Sequence, residues 1–119
     1  MTRVFVYGTL KRGGGNHHYL AGQQFIGTAR TPPGYALHSL GNYPGMVCSP
    51  ADTAGVTGEL WAVDDACLER LDELEGVDEG LFERITLRLA PPFADPPVET
   101  YLFLRSVAGR PALGAVWKE

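Results

Sequence analysis

The sequence has little cysteine and no long hydrophobic run. Its two cysteines, Cys48 and Cys67, lack the C-x-x-C spacing, so they predict reduced thiols rather than a disulfide framework. No stretch approaches the roughly 18 continuous apolar residues of a membrane-spanning helix. Arg3 interrupts any apolar segment at the N-terminus that a signal peptide would need. We therefore expect a soluble, cytoplasmic protein.

Positive charge is also scarce. The chain has 10 Lys and Arg against 14 Asp and Glu, which gives a net charge of −4. No group of basic residues is large enough to cover one face of a domain, so neither nucleic acid nor an anionic membrane is an expected partner. A small molecule or another protein fits the charge better. The sequence leaves the oligomeric state open.

Length and composition favour one domain with one core. The 119 residues are 45% hydrophobic, and residues 1–119 are therefore expected to fold as a single domain. Runs rich in β-branched and aromatic residues predict six or seven short strands. They are residues 3–7, 24–30, 35–40, 45–48, 56–63, 82–89 and 99–105. Polar and apolar residues alternate in the fifth and sixth runs, which indicates one buried face and a sheet that is curled or closed.

Helical periodicity is clear in one segment. Asp64 to Glu75 reads as the main helix, with Asp64 or Asp65 as the N-cap and Gly76 placed to end it. Residues 16–21 are compatible with a shorter helical turn. The predicted fold class is α+β, a small mixed, barrel-like β-sheet that carries one main helix.

A glycine-containing turn follows the first predicted strand, at Tyr7-Gly8-Thr9-Leu10. It is not a Walker loop, because Gly14 stands where that motif needs lysine, and it is not a Rossmann fingerprint, because His18 replaces a required glycine. Successive amide N–H groups at residues 8–10 are suited to binding a carboxylate or carbonyl oxygen. An ordinary strand-to-loop turn is the alternative.

The main helix carries a carboxylate on its apolar side. Cys67, Leu68, Leu71 and Leu74 form the hydrophobic stripe, and Glu75 follows Leu68 by seven positions and Leu71 by four. Burial and the helix C-terminus both disfavour ionisation there, so the pKa of Glu75 should be raised. Such a group can accept and return a proton near neutral pH. The alternative is that the helix ends earlier and Glu75 faces solvent.

Other reactive residue types give weaker signals. His17, His18 and His38 have no Asp, Glu or Cys at ligand spacing, so no metal is expected. Ser39 lacks the G-x-S-x-G context of a nucleophilic serine. The proline-rich residues 90–97 are expected to form a stiff connector, with a lid over the site as the alternative.

Several segments, in the same order along the chain, resemble the γ-glutamyl cyclotransferase-like family, in particular the γ-glutamylamine cyclotransferases and their AIG2-like bacterial relatives. The resemblance runs from residue 3 to about residue 105. It is carried by VFVYGTLKRG at 4–13 followed by Asn16-His17, YPGMV at 43–47, VTGELWAVDDACLERLDELEG at 56–76 and FERITLRL at 82–89. The combination of YGTL with the helix-terminal L-D-x-L-E-G is the specific part.

The resemblance implies a small mixed barrel and a reaction without metal, ATP or other cofactor. In that reaction the α-amine of a γ-glutamyl amine or peptide attacks the γ-carbonyl and 5-oxoproline is released. Glu75 matches the essential glutamate of the family, which implies a general base that then serves as general acid. Tyr7, Gly8, Thr9 and Leu10 match the loop whose backbone amides hold the γ-glutamyl or oxoproline oxygens.

Two further positions bear on the resemblance. Tyr101 is similar to a position from which some relatives direct a hydroxyl into the site, although an ordinary half-buried strand tyrosine is the alternative. Phe82 stands where many relatives have tyrosine, and its missing hydroxyl bears on substrate choice. A non-catalytic small-molecule-binding or interaction module that uses the same pocket is the alternative to an enzyme.

Overall fold

The computed structural model describes residues 1–118 and contains, within them, seven strands, one α-helix and one 3₁₀ helix. The strands are β1 (Thr2–Val6), β2 (Gln24–Arg30), β3 (Tyr35–Ser39), β4 (Pro44–Cys48), β5 (Thr57–Val63), β6 (Phe82–Leu87) and β7 (Val98–Phe103). The α-helix α1 covers Asp65–Leu74, and the 3₁₀ helix covers His17–Leu20. Every predicted strand is present, with ends displaced by at most about two residues, as expected of boundaries read from sequence.

Five strands form one mixed sheet in the order β2-β5-β1-β7-β6, and β3 and β4 form a separate hairpin. The central strand β1 is antiparallel to β5 and parallel to β7, where Val4 is the register partner of Glu99. The α+β class, with a mixed sheet and one main helix, is therefore confirmed.

The sequence predicts a sheet that is curled or closed, and of these two alternatives closure is wrong, because β2 and β6 remain the edges of the sheet. The chain just beyond β6 does reach the end of β2, where the Ala90 N–H donates to the Arg30 carbonyl at 2.8 Å. Pro91 and Pro92 follow Ala90 directly. Proline has no N–H to donate, so a ladder between the two edges cannot continue there.

The apolar part of strand β1, residues 4–6, is buried on both of its faces. Val4 and Val6 pack in the cluster that includes α1 residues Cys67 and Leu71. Phe5 faces the other way and packs in the cluster that includes Leu37 of β3 and Met46 of β4. The helix and the hairpin therefore cover opposite faces of the central strand.

Helix α1 begins and ends as its sequence predicts. The carboxylate of the N-cap Asp64 accepts a hydrogen bond from the Cys67 N–H at 2.7 Å. Glu75 is the C-cap, and Gly76 follows with a positive φ of 65°, a conformation that favours glycine. Burial raises the pKa of the Cys67 thiol, as expected for a cysteine packed in the core. The termination of α1 fixes where the Glu75 side chain begins.

Candidate active site

A cavity of about 180 Å³ opens beside the C-terminal end of α1. Its wall includes all six residues that the sequence singles out, which are Tyr7, Gly8, Thr9, Leu10, Glu75 and Tyr101. These residues come from β7, from the end of α1 and from the loop that follows β1. Cavities that gather titratable groups from separate elements are the default place to look for chemistry.

Glu75 lines this cavity and is half-buried. Burial raises the pKa of its carboxyl group to about 7, because a low-dielectric environment disfavours the charged form. At neutral pH the protonated and ionised forms are therefore both populated. The inward placement predicted from helical periodicity is what the structure has.

The backbone N–H groups of the loop at residues 8–10 have no hydrogen-bond acceptor among the described residues. The amide N–H groups of Gly8, Thr9 and Leu10 donate to no other residue in the part of the chain that the structure describes. All three residues line the cavity. Since buried or half-buried amides are normally paired, consecutive unpaired ones form a ready site for an oxygen atom.

The first residues of the following turn hold this loop in place. The Asn16 N–H donates to the Thr9 carbonyl at 3.0 Å, and the Asn16 side-chain amide donates to the Thr9 hydroxyl oxygen at 2.9 Å. Nδ1 of His17 lies 2.9 Å from the Leu10 carbonyl oxygen, a hydrogen-bond distance. Residues 16 and 17 thus engage the Thr9 and Leu10 carbonyls, while the Gly8 carbonyl accepts from the Lys11 N–H at 3.2 Å.

A buried carboxylate fixes the loop on its other side. Glu59 of β5 is 8% exposed. It accepts from the Arg12 N–H at 3.0 Å, the Arg12 Nε at 3.1 Å and the Trp61 indole at 3.2 Å. Burial opposes the charge of Glu59, but the hydrogen bonds from Arg12 and Trp61 outweigh it, so the pKa of Glu59 is lowered. This network ties the glycine-rich segment to the sheet.

The two predicted site tyrosines direct their hydroxyls to protein partners. The Tyr7 hydroxyl donates to the Tyr101 carbonyl at 2.8 Å and accepts from the Met46 N–H at 3.3 Å. The Tyr101 hydroxyl donates to a carboxylate oxygen of Asp72 at 2.7 Å. Burial raises the pKa of both tyrosines, and the negative charge of Glu75 contributes to both shifts. Tyr7 therefore joins the hairpin to the main sheet as well as lining the cavity.

The remaining wall is mostly apolar. Phe82 is 1% exposed, lines the cavity and packs on Phe103 with ring centroids 5.3 Å apart. It gives the cavity a hydrocarbon surface where a tyrosine would bring a hydroxyl. No cationic side chain is among the described residues that line the cavity.

Asn16, Tyr43 and Pro44 also line the cavity; they stand in segments that carry the family resemblance, but the sequence analysis assigned them no role in the site. Asn16 stands directly before the 3₁₀ helix, where asparagine is a common capping residue, so its position carried a weak signal. Tyr43 and Pro44 arrive from the hairpin, and no local pattern in the sequence connects them with α1. Long-range packing alone brings them to the cavity.

The proline-rich segment lies elsewhere. No residue of the described segment 90–97 lines the cavity, and Phe93 packs against β2 beside Gly27. Of the two interpretations left open by the sequence, the connector is the one that this placement favours.

Residues 1–118 contain no group of three or more His, Cys, Asp or Glu side chains arranged to hold a metal ion. His17 packs its ring on Trp61, with centroids 5.3 Å apart, and His38 lies near the Arg110 carbonyl. In the same described part of the chain, no helix is long and apolar enough to cross a membrane.

A family model described as "Gamma-glutamyl cyclotransferase, AIG2-like" matches residues 4–119. Human gamma-glutamylaminecyclotransferase is 37% identical over 113 residues, which cover 84% of this chain and 73% of the human protein. The gamma-glutamylcyclotransferase family protein YtfP of Escherichia coli is 40% identical over 72 residues, which cover 60% of each chain. The chain spans only 51% to 62% of the length of bacterial, fruit-fly and plant relatives that it also matches.

Solved structures of similar proteins share the fold. The crystal structure of an AIG2-like protein from mouse superimposes with a TM-score of 0.75 at 28% identity and covers 97% of this chain and 87% of the mouse chain. The solution structure of E. coli YtfP superimposes with a TM-score of 0.72 at 31% identity, over 98% of this chain and 95% of that chain.

Proposed function

Because this chain belongs to the gamma-glutamyl cyclotransferase, AIG2-like family, we propose that it is a cyclotransferase that releases 5-oxoproline from a γ-glutamyl amine or peptide. In this reaction the α-nitrogen of the substrate bonds to its own γ-carbon, and the bond from that carbon to the leaving nitrogen breaks. No oxidant, metal or nucleotide is needed to balance the step.

Glu75 is assigned the proton transfers. Its carboxylate takes a proton from the α-ammonium group, which frees the nitrogen lone pair for attack, and the carboxylic acid then gives this proton to the leaving nitrogen. The ring nitrogen loses a second proton as the lactam forms, and the amine carries that proton away as an ammonium ion. A pKa of about 7 suits both directions of transfer at neutral pH. The negative charge of Glu75 contributes to the raised pKa values of Tyr7 and Tyr101. This contribution supports a position of the Glu75 carboxyl group close to both cavity tyrosines.

The amides of Gly8, Thr9 and Leu10 are assigned to an oxygen of the γ-glutamyl group, either the α-carboxylate or the γ-carbonyl. Their N–H groups lack partners within the described residues and line the same cavity as Glu75. Fixed donors of this kind stabilise charge that develops on an oxygen without having to reorganise. Closing a five-membered ring inside a cavity also lowers the entropic part of the barrier.

The observation that carries the proposal is a half-buried carboxyl group with a raised pKa in a cavity that also presents three amides without an acceptor among residues 1–118. Keeping an unpaired carboxyl group out of water costs free energy. A module that only binds a ligand gains nothing from that cost, whereas a proton-transfer catalyst does. The enzyme is therefore preferred to the binding module.

The cavity wall favours an amine as leaving group. Among the described residues that line the cavity, Tyr43 is the most exposed, at 36%, and Pro44 and Leu81 also line it. These side chains offer apolar contact and no cation to pair with the carboxylate that an amino acid or peptide carries next to its γ-glutamyl bond. We therefore expect γ-glutamyl amines, including the ε-linked γ-glutamyl-lysine, to be better substrates than glutathione.

The test is 5-oxoproline release from γ-glutamyl alkylamines, γ-glutamyl-ε-lysine, γ-glutamyl-amino acids and glutathione, in EDTA and without ATP. Release from the amines with a higher kcat/KM than from glutathione supports the proposal. If the protein binds 5-oxoproline but releases none from any of these compounds, the binding module replaces the enzyme.

Gly8 offers a test of the loop that does not touch Glu75. A Cβ at Gly8 would lie 2.9 Å from ring carbons of Pro44, so Gly8→Ala should displace the loop amides and weaken 5-oxoproline binding roughly tenfold, through a strain of about 1–3 kcal/mol. Titration calorimetry measures the change in Kd. Adding Pro44→Ala makes room for the methyl group and should recover most of the affinity. Unchanged binding by Gly8→Ala would remove the loop from its assigned role.

A further inference from the structure

The Tyr101 hydroxyl uses its proton in a hydrogen bond within the protein. Tyr101 is 2% exposed, and its hydroxyl donates to Asp72 Oδ1 at 2.7 Å. An ionised carboxylate can only accept, and a hydroxyl that donates to one at this distance makes a strong, charge-assisted hydrogen bond. The direction of this bond is therefore fixed.

Arg84 forms ion pairs with Asp72 and with Glu99. Its Nε lies 3.0 Å from Asp72 Oδ1, and its other guanidinium arm forms an ion pair with Glu99 at 3.0 Å. Arg84 of β6 is the register partner of Tyr101 of β7. Strand pairing thus places Arg84 and Tyr101 side by side, where both contact the carboxylate of Asp72 in α1.

With its proton turned toward Asp72, the Tyr101 oxygen can only accept hydrogen bonds from the cavity. The proposed γ-glutamyl substrate has few donors to offer. Its α-carboxylate and γ-carbonyl are acceptors, whereas its α-ammonium group carries three N–H donors and a positive charge. Glu75 lines the same cavity, and Asp72 accepts the hydrogen bond of the tyrosine hydroxyl, so the local charge favours a cation.

On the basis of the proposed function, we propose that the Tyr101 hydroxyl oxygen accepts a hydrogen bond from the α-ammonium group of the substrate. Asp72, held by its ion pair with Arg84, is the positioning residue that makes Tyr101 an acceptor. After Glu75 has taken one proton, the neutral amine keeps an N–H bond to Tyr101 and directs its lone pair at the γ-carbon. Tyr101 and Asp72 then select ligands that carry an α-amine.

The test compares two ligands that differ only in that amine, γ-glutamyl-ethylamide and glutaric acid monoethylamide. Titration calorimetry is done with Glu75→Gln, which prevents turnover, and in the same background with Tyr101→Phe, Asp72→Asn or the control Glu73→Gln. Glu73 is an exposed carboxylate of α1, so the control makes the same charge change away from Tyr101.

We expect the background protein to prefer the amine-bearing ligand about tenfold or more, the scale of one charge-assisted hydrogen bond. Tyr101→Phe should abolish this preference, Asp72→Asn should reduce it, and Glu73→Gln should keep it. A general loss of packing would weaken the binding of both ligands alike and leave the ratio of their Kd values unchanged.

Two outcomes overturn the inference in different ways. If the wild type releases 5-oxoproline and Tyr101→Phe still prefers the amine-bearing ligand, Tyr101 is not the acceptor and the proposed function stands. If the wild type releases none and the background protein binds neither ligand, the proposed function and the inference fail together.

Discussion

Glu75→Gln is expected to lower kcat for 5-oxoproline release by about 10²–10⁴-fold, the usual range for loss of a general acid–base group. Glutamine keeps the size of the side chain at the end of α1 but cannot take a proton from the α-ammonium group. Because the amides of the 8–10 loop do not depend on Glu75, 5-oxoproline should still bind within a few-fold of the wild-type Kd. The measurement is the rate of release at saturating γ-glutamyl amine, with circular dichroism to verify folding.

The control is Glu73→Gln, which neutralises an exposed carboxylate two residues away and should keep wild-type turnover. Wild-type kcat/KM should also fall as the pH drops below about 7, because protonation of Glu75 removes the base. Near-normal turnover by Glu75→Gln would assign the proton transfers to another group.

The sequence predicts those features of the site that depend on residues close together along the chain. The four-residue spacing from Leu71 to Glu75 places the carboxyl group on the buried side of α1, and Gly76 marks the helix end. Both follow from helix geometry. The strand positions likewise follow from runs of β-branched and aromatic residues, with the helix and strands found where those patterns indicate.

Contacts between distant segments carried no such signal. The sequence suggests that Gly8 serves a sharp turn or a close ligand approach, whereas the structure places the Pro44 ring against it. The bond from Tyr101 to Asp72 joins β7 to α1, and nothing in either segment marks the pairing. Sheet closure was overpredicted for a similar reason, because alternation within a strand reveals its buried face but not its neighbour.

Glu75, the site residue with the clearest local signal in the sequence, also lowers the free energy of unfolding at neutral and higher pH. Glu75 has an ordinary pKa of 4.5 when unfolded and about 7 in the folded protein. The folded state therefore binds the proton more tightly, so folding is favoured at low pH. Stability that is fully present below pH 4.5 is lost as the pH rises toward about 7 and is gone above it.

Glu75→Gln should remove this loss, so the variant is expected to be more stable than the wild type above pH 7. The pKa difference corresponds to at most about 3 kcal/mol, at about 1.4 kcal/mol for each pH unit. Urea unfolding at pH 4.5 and at pH 8 measures the free energy of unfolding of both proteins. The variant's advantage should be larger at pH 8 than at pH 4.5, by up to about 3 kcal/mol.

Glu73→Gln again supplies the comparison, since an exposed carboxylate should leave the pH dependence of the wild type unchanged. Parallel stability curves for the wild type and Glu75→Gln would mean that Glu75 titrates alike in the folded and unfolded chains, and its selection as the proton carrier would lose its physical basis. A gain confined to high pH, together with the loss of turnover, would show that one half-buried carboxyl group lowers the stability of the folded protein and carries out its proton transfers.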